Sequence, residues 1–356
     1  MKGIKYIFFA LLIFVFGYGM IGQILLPPDH VEENRLCEDY QGEWYRIEDD
    51  GTRSLIEIPG KYEKGAQIIE TTIPKDLDER VSHLCFRGQD LCAYLDGKQI
   101  YRYSTKGKRW FGQISPECYL LIPVTAADAG KVLRLELVSG NGILYQPYVG
   151  SEFGIWKFLI SLYFGEIIVA AIVFLIGVLA IIISGIYSVS NKRPMDIIYL
   201  GYAGMLSAVW LDMNSVFRQV MFQNVSVASE IPFYMVMLIP FSVIIYMNEV
   251  QEHRFERMYR FVGIIMGTVA VISCILHITG KKDLASTFIF VAMGCFVAIA
   301  SVVYTFFKDL YSRKIQEYRF VAFGLFGAFV CSVIQLVMYF NRSEIFHGRY
   351  FAIGIL

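Results

Sequence analysis

Phe158–Ile186 reads FLISLYFGEIIVAAIVFLIGVLAIIISGI and carries one charged side chain, Glu166. An α-helix rises about 1.5 Å per residue, so ~20 apolar residues cross a hydrocarbon layer about 30 Å thick. This run is long enough to cross even when tilted. Four more full-length apolar runs follow, Ile231–Met247, Phe261–Ile278, Ala285–Phe307 and Phe320–Phe340, with a weaker one, Ile197–Leu211, after the first. Tyr350–Leu356 (YFAIGIL) begins another. From Gly154 onward the expectation is therefore a seven-helix membrane block whose seventh helix is cut short.

Composition agrees. The 356 residues are 56% hydrophobic and 18% charged, with a mean hydropathy of +0.49. These values describe a membrane protein with a soluble part attached. Net charge is zero, which removes the electrostatic argument for nucleic acid. Sixteen of the 32 Lys and Arg lie between residues 27 and 157; the other sixteen flank the apolar runs.

Upstream, Met1–Tyr6 holds two lysines and Ile7–Leu26 is apolar. A run of ~20 residues exceeds the ~7–15-residue core of a signal peptide, and no A-x-A site follows. An uncleaved anchor over residues 1–26 is the expectation, with a cleaved signal peptide as the alternative. Pro27-Pro28 ends it, because proline cannot continue a helix.

Between His30 and Gly154 the pattern changes to short β-rich runs. These are Glu43–Ile47, Gln67–Ile73, His83–Phe86, Ala93–Leu95, Gln99–Tyr103, Tyr119–Val124, Val132–Val138 and Ile143–Val149. Asp49-Asp50-Gly51, Pro59-Gly60, Asp96-Gly97 and Ser139–Gly142 separate them as turn signals. Such spacing without a helical period predicts an antiparallel all-β sandwich or jelly roll over residues 27–154, one domain with its own core.

Basic residues mark cytoplasmic loops. With Met1 inside and the β domain outside, eleven fall in inner segments (Lys2, Lys5, Lys192, Arg193, Arg254, Arg257, Arg260, Lys308, Arg313, Lys314, Arg319). Five fall in outer loops (Arg218, Lys281, Lys282, Arg342, Arg349). Omitting Ile197–Leu211 would put Lys192-Arg193 and Arg254–Arg260 on opposite sides, so the weak run counts as a helix.

The layout resembles the bacterial seven-transmembrane receptors with diverse intracellular signalling modules. Leu84–Asp90 followed by Ala93–Lys98 (AYLDGK) is similar to the strand and Gly-x-Asp turn signature of galactose-binding-like jelly rolls. Arg109–Gly112, Ser115-Pro116, Leu121–Pro123 and Ala127–Leu133 resemble the versions fused to membrane sensors. Tyr199–Leu211 and Leu238–Tyr246 resemble the second and third helices of the receptor block. The resemblance implies a cell-membrane sensor that binds an extracytoplasmic small molecule or glycan. It would relay binding to a cytoplasmic output, a diguanylate cyclase or histidine kinase in similar proteins, in cis or in trans. No GGDEF-like stretch or nucleotide loop stands in this sequence, so the chain itself is expected to be neither enzyme nor cofactor carrier. A homodimer is compatible with it.

Within the β domain, Tyr101, Tyr103, Arg109, Trp110 and Tyr119, with Arg102 among them, form a candidate ligand face. Aromatic rings stack on sugar faces and arginine supplies forked donors. The competing reading, which the pattern favours, is strand tyrosines filling a core with Lys106–Trp110 as an exposed turn. Cys85 and Cys92 would face each other across a Gly88-Gln89 turn, so a bridge and free thiols are both open. In the membrane block Glu166 is costly in lipid and marks a functional position, about 15 Å beyond Trp156 at ~1.5 Å per residue. Trp156 and Glu166 are the candidate coupling residues. The five histidines lack metal-ligand spacing, and no catalytic constellation can be assembled. The competing function class is a transporter or membrane enzyme with an accessory binding domain. That class calls for broken helices and several midplane charges, whereas here Pro240 alone interrupts a run.

Overall fold

The computed structural model describes residues 37–318 except 49, 64, 108–111, 113–114, 139–141 and 192–195, plus scattered positions up to 334. The N-terminal apolar run, Arg109, Trp110, most of Phe320–Phe340 and Tyr350–Leu356 lie outside the described residues.

Twelve strands come first: β1 (Cys37–Asp39), β2 (Trp44–Ile47), β3 (Arg53–Ile56), β4 (Gly60–Lys61), β5 (Gln67–Thr72), β6 (His83–Gly88), β7 (Leu91–Leu95), β8 (Lys98–Tyr103), β9 (Cys118–Pro123), β10 (Val132–Leu137), β11 (Ile143–Leu144) and β12 (Tyr148–Gly150). They form two antiparallel sheets, ordered β1-β12-β6-β9 and β3-β2-β5-β10-β7-β8, and a small β4–β11 pair. Period-two alternation makes this possible. Leu133 and Leu135 of β10 and Ile69 of β5 are fully buried, while Arg134 and Glu136, alternating with the two leucines, carry charge. The two sheets face each other, with the Trp44 ring of one 6.3 Å from the Phe86 ring of the other. The stretch read as one strand, Ile143–Val149, is two short ones because Pro147 cannot donate to a ladder.

The Cys85–Cys92 bridge does not form. Gly88–Asp90 carries the chain from one sheet to the other instead of closing a hairpin within one. Cys85 pairs with Tyr148 and Leu121, whereas Cys92 pairs with Arg102 and Glu136. Both thiols are free. Burial raises the Cys85 pKa, which holds the thiol protonated.

The helical part opens with α1 (Glu152–Asn191), which starts one residue after β12. Ser151 caps it: its Oγ accepts from the Gly154 amide at 3.0 Å. Then come α2 (Ile197–Asn214), two short helices, α3 (Phe217–Met221) and α4 (Val225–Ala228), α5 (Ile231–Val250), α6 (Glu256–Ile278) and α7 (Leu284–Tyr311). Among the described residues, four helical stretches are long and apolar enough to cross a membrane: Glu152–Asn191, Val225–Val250, Glu256–Ile278 and Leu284–Tyr311. Their outward positions are apolar, Leu175, Ile183, Ile264, Phe296 and Phe307 among them, as a lipid solvent requires. Pro240 lies inside α5. Ile244 and Met247 of α5, Tyr259, Val262 and Met266 of α6 and Ala298 of α7 make one buried cluster.

Contacts divide the chain into two units. One holds the described residues up to Ser104 together with Glu117–Gly165; the other holds Thr105–Pro116 and the residues from Glu166 onward. The first turns of α1 thus go with the sheets and the rest of α1 with the helices.

Within the second unit α1 and α2 meet at glycines. A Cβ on Gly201 would lie 2.8 Å from the Gly177 carbonyl and 2.9 Å from Ile181, and one on Gly177 would lie 2.8 Å from the Gly201 carbonyl. Small residues let membrane helices approach this closely. Gly201→Leu is expected to cost about 1–3 kcal/mol by overpacking, read as a lower melting temperature of the purified chain. Gly185 has no atom within 4 Å of its added Cβ, so Gly185→Ala should leave stability unchanged or slightly raised. Equal destabilisation by both substitutions would contradict the close crossing.

Candidate functional site

Residues directly opposite each other in neighbouring strands share a face. On β6 and β9, Phe86 and Leu120 point between the sheets, so Arg87 and its partner Tyr119 point away from them. Cys85, Leu121 and Tyr148 join that outer face by the same register. The start of α1 covers it. Ile155, Leu159 and Tyr163, spaced four apart on one helical stripe, are buried. Phe158 packs on Tyr148 with ring centroids 4.9 Å apart, and the Tyr119 and Tyr163 hydroxyls lie 3.0 Å apart. Burial pushes the Tyr119 phenol well above its ordinary pKa and that of Tyr148 up to about 12, so both remain neutral hydrogen-bonding groups.

Arg87 sits at the centre. Its guanidinium is 4.0 Å from the Tyr145 ring centroid and 5.7 Å from that of Tyr119. Nη2 reaches Glu117 Oε2 at 3.1 Å, and the Tyr145 hydroxyl donates to the same oxygen at 3.4 Å. A largely buried arginine needs this carboxylate, and the ring faces add cation–π attraction as water is excluded. The group is a clasp: strands on one side, a membrane helix on the other, and an ion pair set among aromatic rings.

The expected ligand residues divide. Tyr101 and Tyr103 share one half-buried face of β8, and the Tyr103 hydroxyl lies 3.4 Å from Cys118 Sγ of β9. Tyr119 is on the opposite side of β9 from Cys118, in the clasp. The structure therefore does not bring Tyr119 together with the other two, and Arg109 and Trp110 lie outside the described residues. Trp156 is half-buried and Glu166 is buried, 6% exposed. Arg87, Glu117, Tyr145 and Tyr163 went unseen as a group. The alternation through Cys85 and Arg87, with the i, i+4 stripe Ile155, Leu159 and Tyr163, was the signal that could have found them.

Two further polar clusters belong to the helical unit. His277 at the end of α6 is fully buried, with Nε2 3.4 Å from Glu230 Oε2 and Nδ1 3.8 Å from Asp283 Oδ1. Gly112 (φ +64°) fits against it; any Cβ there would run into the imidazole and lie 3.0 Å from Asp283 Oδ1. At the other end of these helices Gln251, also fully buried, donates from Nε2 to Asp309 Oδ2 (3.1 Å) and contacts the Tyr318 hydroxyl (3.2 Å). Tyr318 donates to Asp309 Oδ2 at 2.6 Å, Tyr259 donates to Gln251 Oε1 at 2.7 Å, and Arg254 Nη2 is 3.2 Å from Asp309. The network ties the α5–α6 turn to the end of α7 and the 3₁₀ turn Lys314–Tyr318. The α5–α6 turn uses left-handed residues, Glu252 (φ 52°) and His253 (φ 60°), whose geometry the His253 amide stabilises by donating to the Asn248 carbonyl at 2.8 Å.

No protein-family model matches the chain, and neither the curated proteins nor the solved structures contain a match.

Tyr119→Phe and Tyr163→Phe each remove one phenol of the clasp. A double-mutant cycle on thermal unfolding should return a coupling of about 0.5–1.5 kcal/mol, the net worth of one hydrogen bond. Strictly additive effects would mean that the two hydroxyls do not meet.

Proposed function

We propose that this protein is a multi-pass sensor of the cell membrane. Residues 27–154 form an extracytoplasmic jelly roll of the galactose-binding-like kind that takes a small molecule or glycan. Seven helices, two beyond the described residues and α2 among them, carry the response across the bilayer to a cytoplasmic output in cis or in trans. The chain performs no catalysis itself. This is the layout of the seven-transmembrane receptors with diverse intracellular signalling modules, which the sequence resembles.

One observation carries the proposal. The helix α1 is continuous over 40 residues, its first turns belong to the β unit through the Tyr119–Tyr163 and Tyr148–Phe158 contacts, and the remainder belongs to the helical unit. A ligand that shifts the sheet bearing Tyr119 would shift α1 with it, because no flexible segment absorbs the movement. It biases two states only by its differential affinity for them, typically ~1–3 kcal/mol of coupling. The eleven-to-five distribution of basic residues supports the orientation, with the β domain outside. Glu166, buried on α1 just past the division between the units, stands where such a shift would change its surroundings.

Two measurements test this. Cysteines introduced at the exposed positions Lys106 and Arg257 should be labelled by impermeant maleimide from opposite sides of the membrane. Labelling of both from one side would sink the orientation. For signalling, the seventh helix is completed in a chimera, a cyclase or kinase reporter is fused behind it, and a glycan identified on an array is the stimulus. Phe158→Ala with Tyr163→Ala should abolish the glycan-dependent change in output while glycan affinity stays nearly unchanged. Undiminished output from that double variant would mean that the clasp does not transmit.

A further inference from the structure

The six-stranded sheet has an outward side that neither the core nor the clasp uses. Trp44, Thr71, Leu133, Leu135 and Ala93 of its strands are buried, so the residues that alternate with them point away from the core. The register sets four of these in one row. Tyr45 of β2 stands opposite Glu70 of β5, Glu70 opposite Arg134 of β10, and Arg134 opposite Tyr94 of β7. Directly opposed side chains in adjacent strands are neighbours. Leu55 of β3 and Gln99 of β8, both exposed, continue the row at its two ends.

The middle of the row is polar and held by charge. Glu70 is buried, 8% exposed, with Oε2 2.8 Å from Arg53 Nη2 and Oε1 4.0 Å from Arg134 Nη1. Arg134 also reaches Glu136 Oε1 through Nη2 at 3.0 Å. Arg53 attracts Glu70 Oε2 by charge, but neither that oxygen nor Arg134 Nε makes a directed hydrogen bond among the described residues. A donor and an acceptor left this way cost free energy until a polar partner supplies what is missing. The flanks are aromatic. Tyr45 and Tyr94 are half-buried, and the Tyr45 hydroxyl donates to Glu43 Oε2 at 2.7 Å, which holds its ring.

Three strand spacings of ~4.8 Å put the two tyrosines ~14 Å apart, further than a single sugar ring extends. A ring at each end with a carboxylate and a guanidinium between them suits a ligand that presents CH faces at two points and hydroxyls in the middle. Glu70 and Arg134 cancel in charge, which favours a neutral chain. A protein partner fits less well: protein interfaces keep charge at the rim and apolar groups at the centre, whereas this row does the reverse.

We infer that Tyr45, Glu70, Arg134 and Tyr94 are the glycan platform of this domain, which takes a neutral oligosaccharide laid across the strands. The tyrosines stack on sugar faces, and Arg134 and Glu70 exchange hydrogen bonds with the hydroxyls between. The inference rests on the reading of the ligand as a glycan. It differs from the site expected at Tyr101 and Tyr103, which pair with the buried Ala93 and Leu91 on the other side of the sheet.

Binding by the full chain in nanodiscs free of glycolipid tests it, with immobilised neutral oligosaccharides from a single sugar upward as probes. Affinity should rise with length and level off once both tyrosines are spanned. Tyr45→Ala and Tyr94→Ala should each lower it about tenfold, the loss of one stacked ring, with the melting temperature unchanged. Tyr45→Phe and Tyr94→Phe, which keep the ring, should bind like the parent chain. Alanine variants that bind undiminished would overturn the platform and leave the glycan reading standing. So would phenylalanine variants as weak as the alanine ones, or a single sugar held as tightly as a longer chain. A parent chain that binds no glycan of any length would remove both, and would leave this face to a protein partner.

Discussion

The structure turns on the burial of one face of a sheet by a helix that also has to live in lipid. The outer face of the sheet β1-β12-β6-β9 would otherwise expose Cys85, Leu121 and Tyr148, and α1 covers it with Ile155, Leu159 and Tyr163. Each fully buried aliphatic side chain contributes roughly 1.5–3 kcal/mol. A little further on, the same helix has no water to satisfy its backbone, so it stays hydrogen-bonded to itself for 40 residues. Ser151 fixes the start of the helix one residue after the strand ends.

The polar side chains of the helical unit obey the same economy. Buried charge is placed where a partner stands: His277 between Glu230 and Asp283, Asp309 among Gln251, Arg254 and Tyr318. Both groups sit at helix ends, where turns supply donors and acceptors that helix interiors have already used. Between the ends the contacts are apolar, as in the cluster of Met247, Val262 and Met266. Such an arrangement ties neighbouring helices at their ends.

Most of the architecture was legible in the residues. Alternation in Val132–Leu137 and the long apolar run after Phe158 each leave one conformation able to bury what must be buried. The helix boundary was less legible. The apolar run begins at Phe158, but α1 begins at Glu152, because Glu152–Lys157 is covered in part by strands rather than by lipid. The Cys85–Cys92 hairpin misled for a related reason: six residues of good turn chemistry cannot reveal whether the chain turns within a sheet or crosses to another. The clasp was hidden because Arg87, Glu117, Tyr145 and Tyr163 are brought together by register and by a helix, not by sequence spacing. His277 gives no sign of its burial in the sequence, and the packing of Glu230 and Asp283 shows why that burial is tolerated.

The central claim is that α1 is one unbroken helix from Glu152 to Asn191. Hydrogen–deuterium exchange of the intact chain in a bilayer, resolved over the amides of residues 151–170, measures this most directly. The account expects protection to begin within the first turn after Ser151 and to continue unbroken past Glu166. Fast exchange anywhere between Trp156 and Val169 would reveal a hinge there and contradict it.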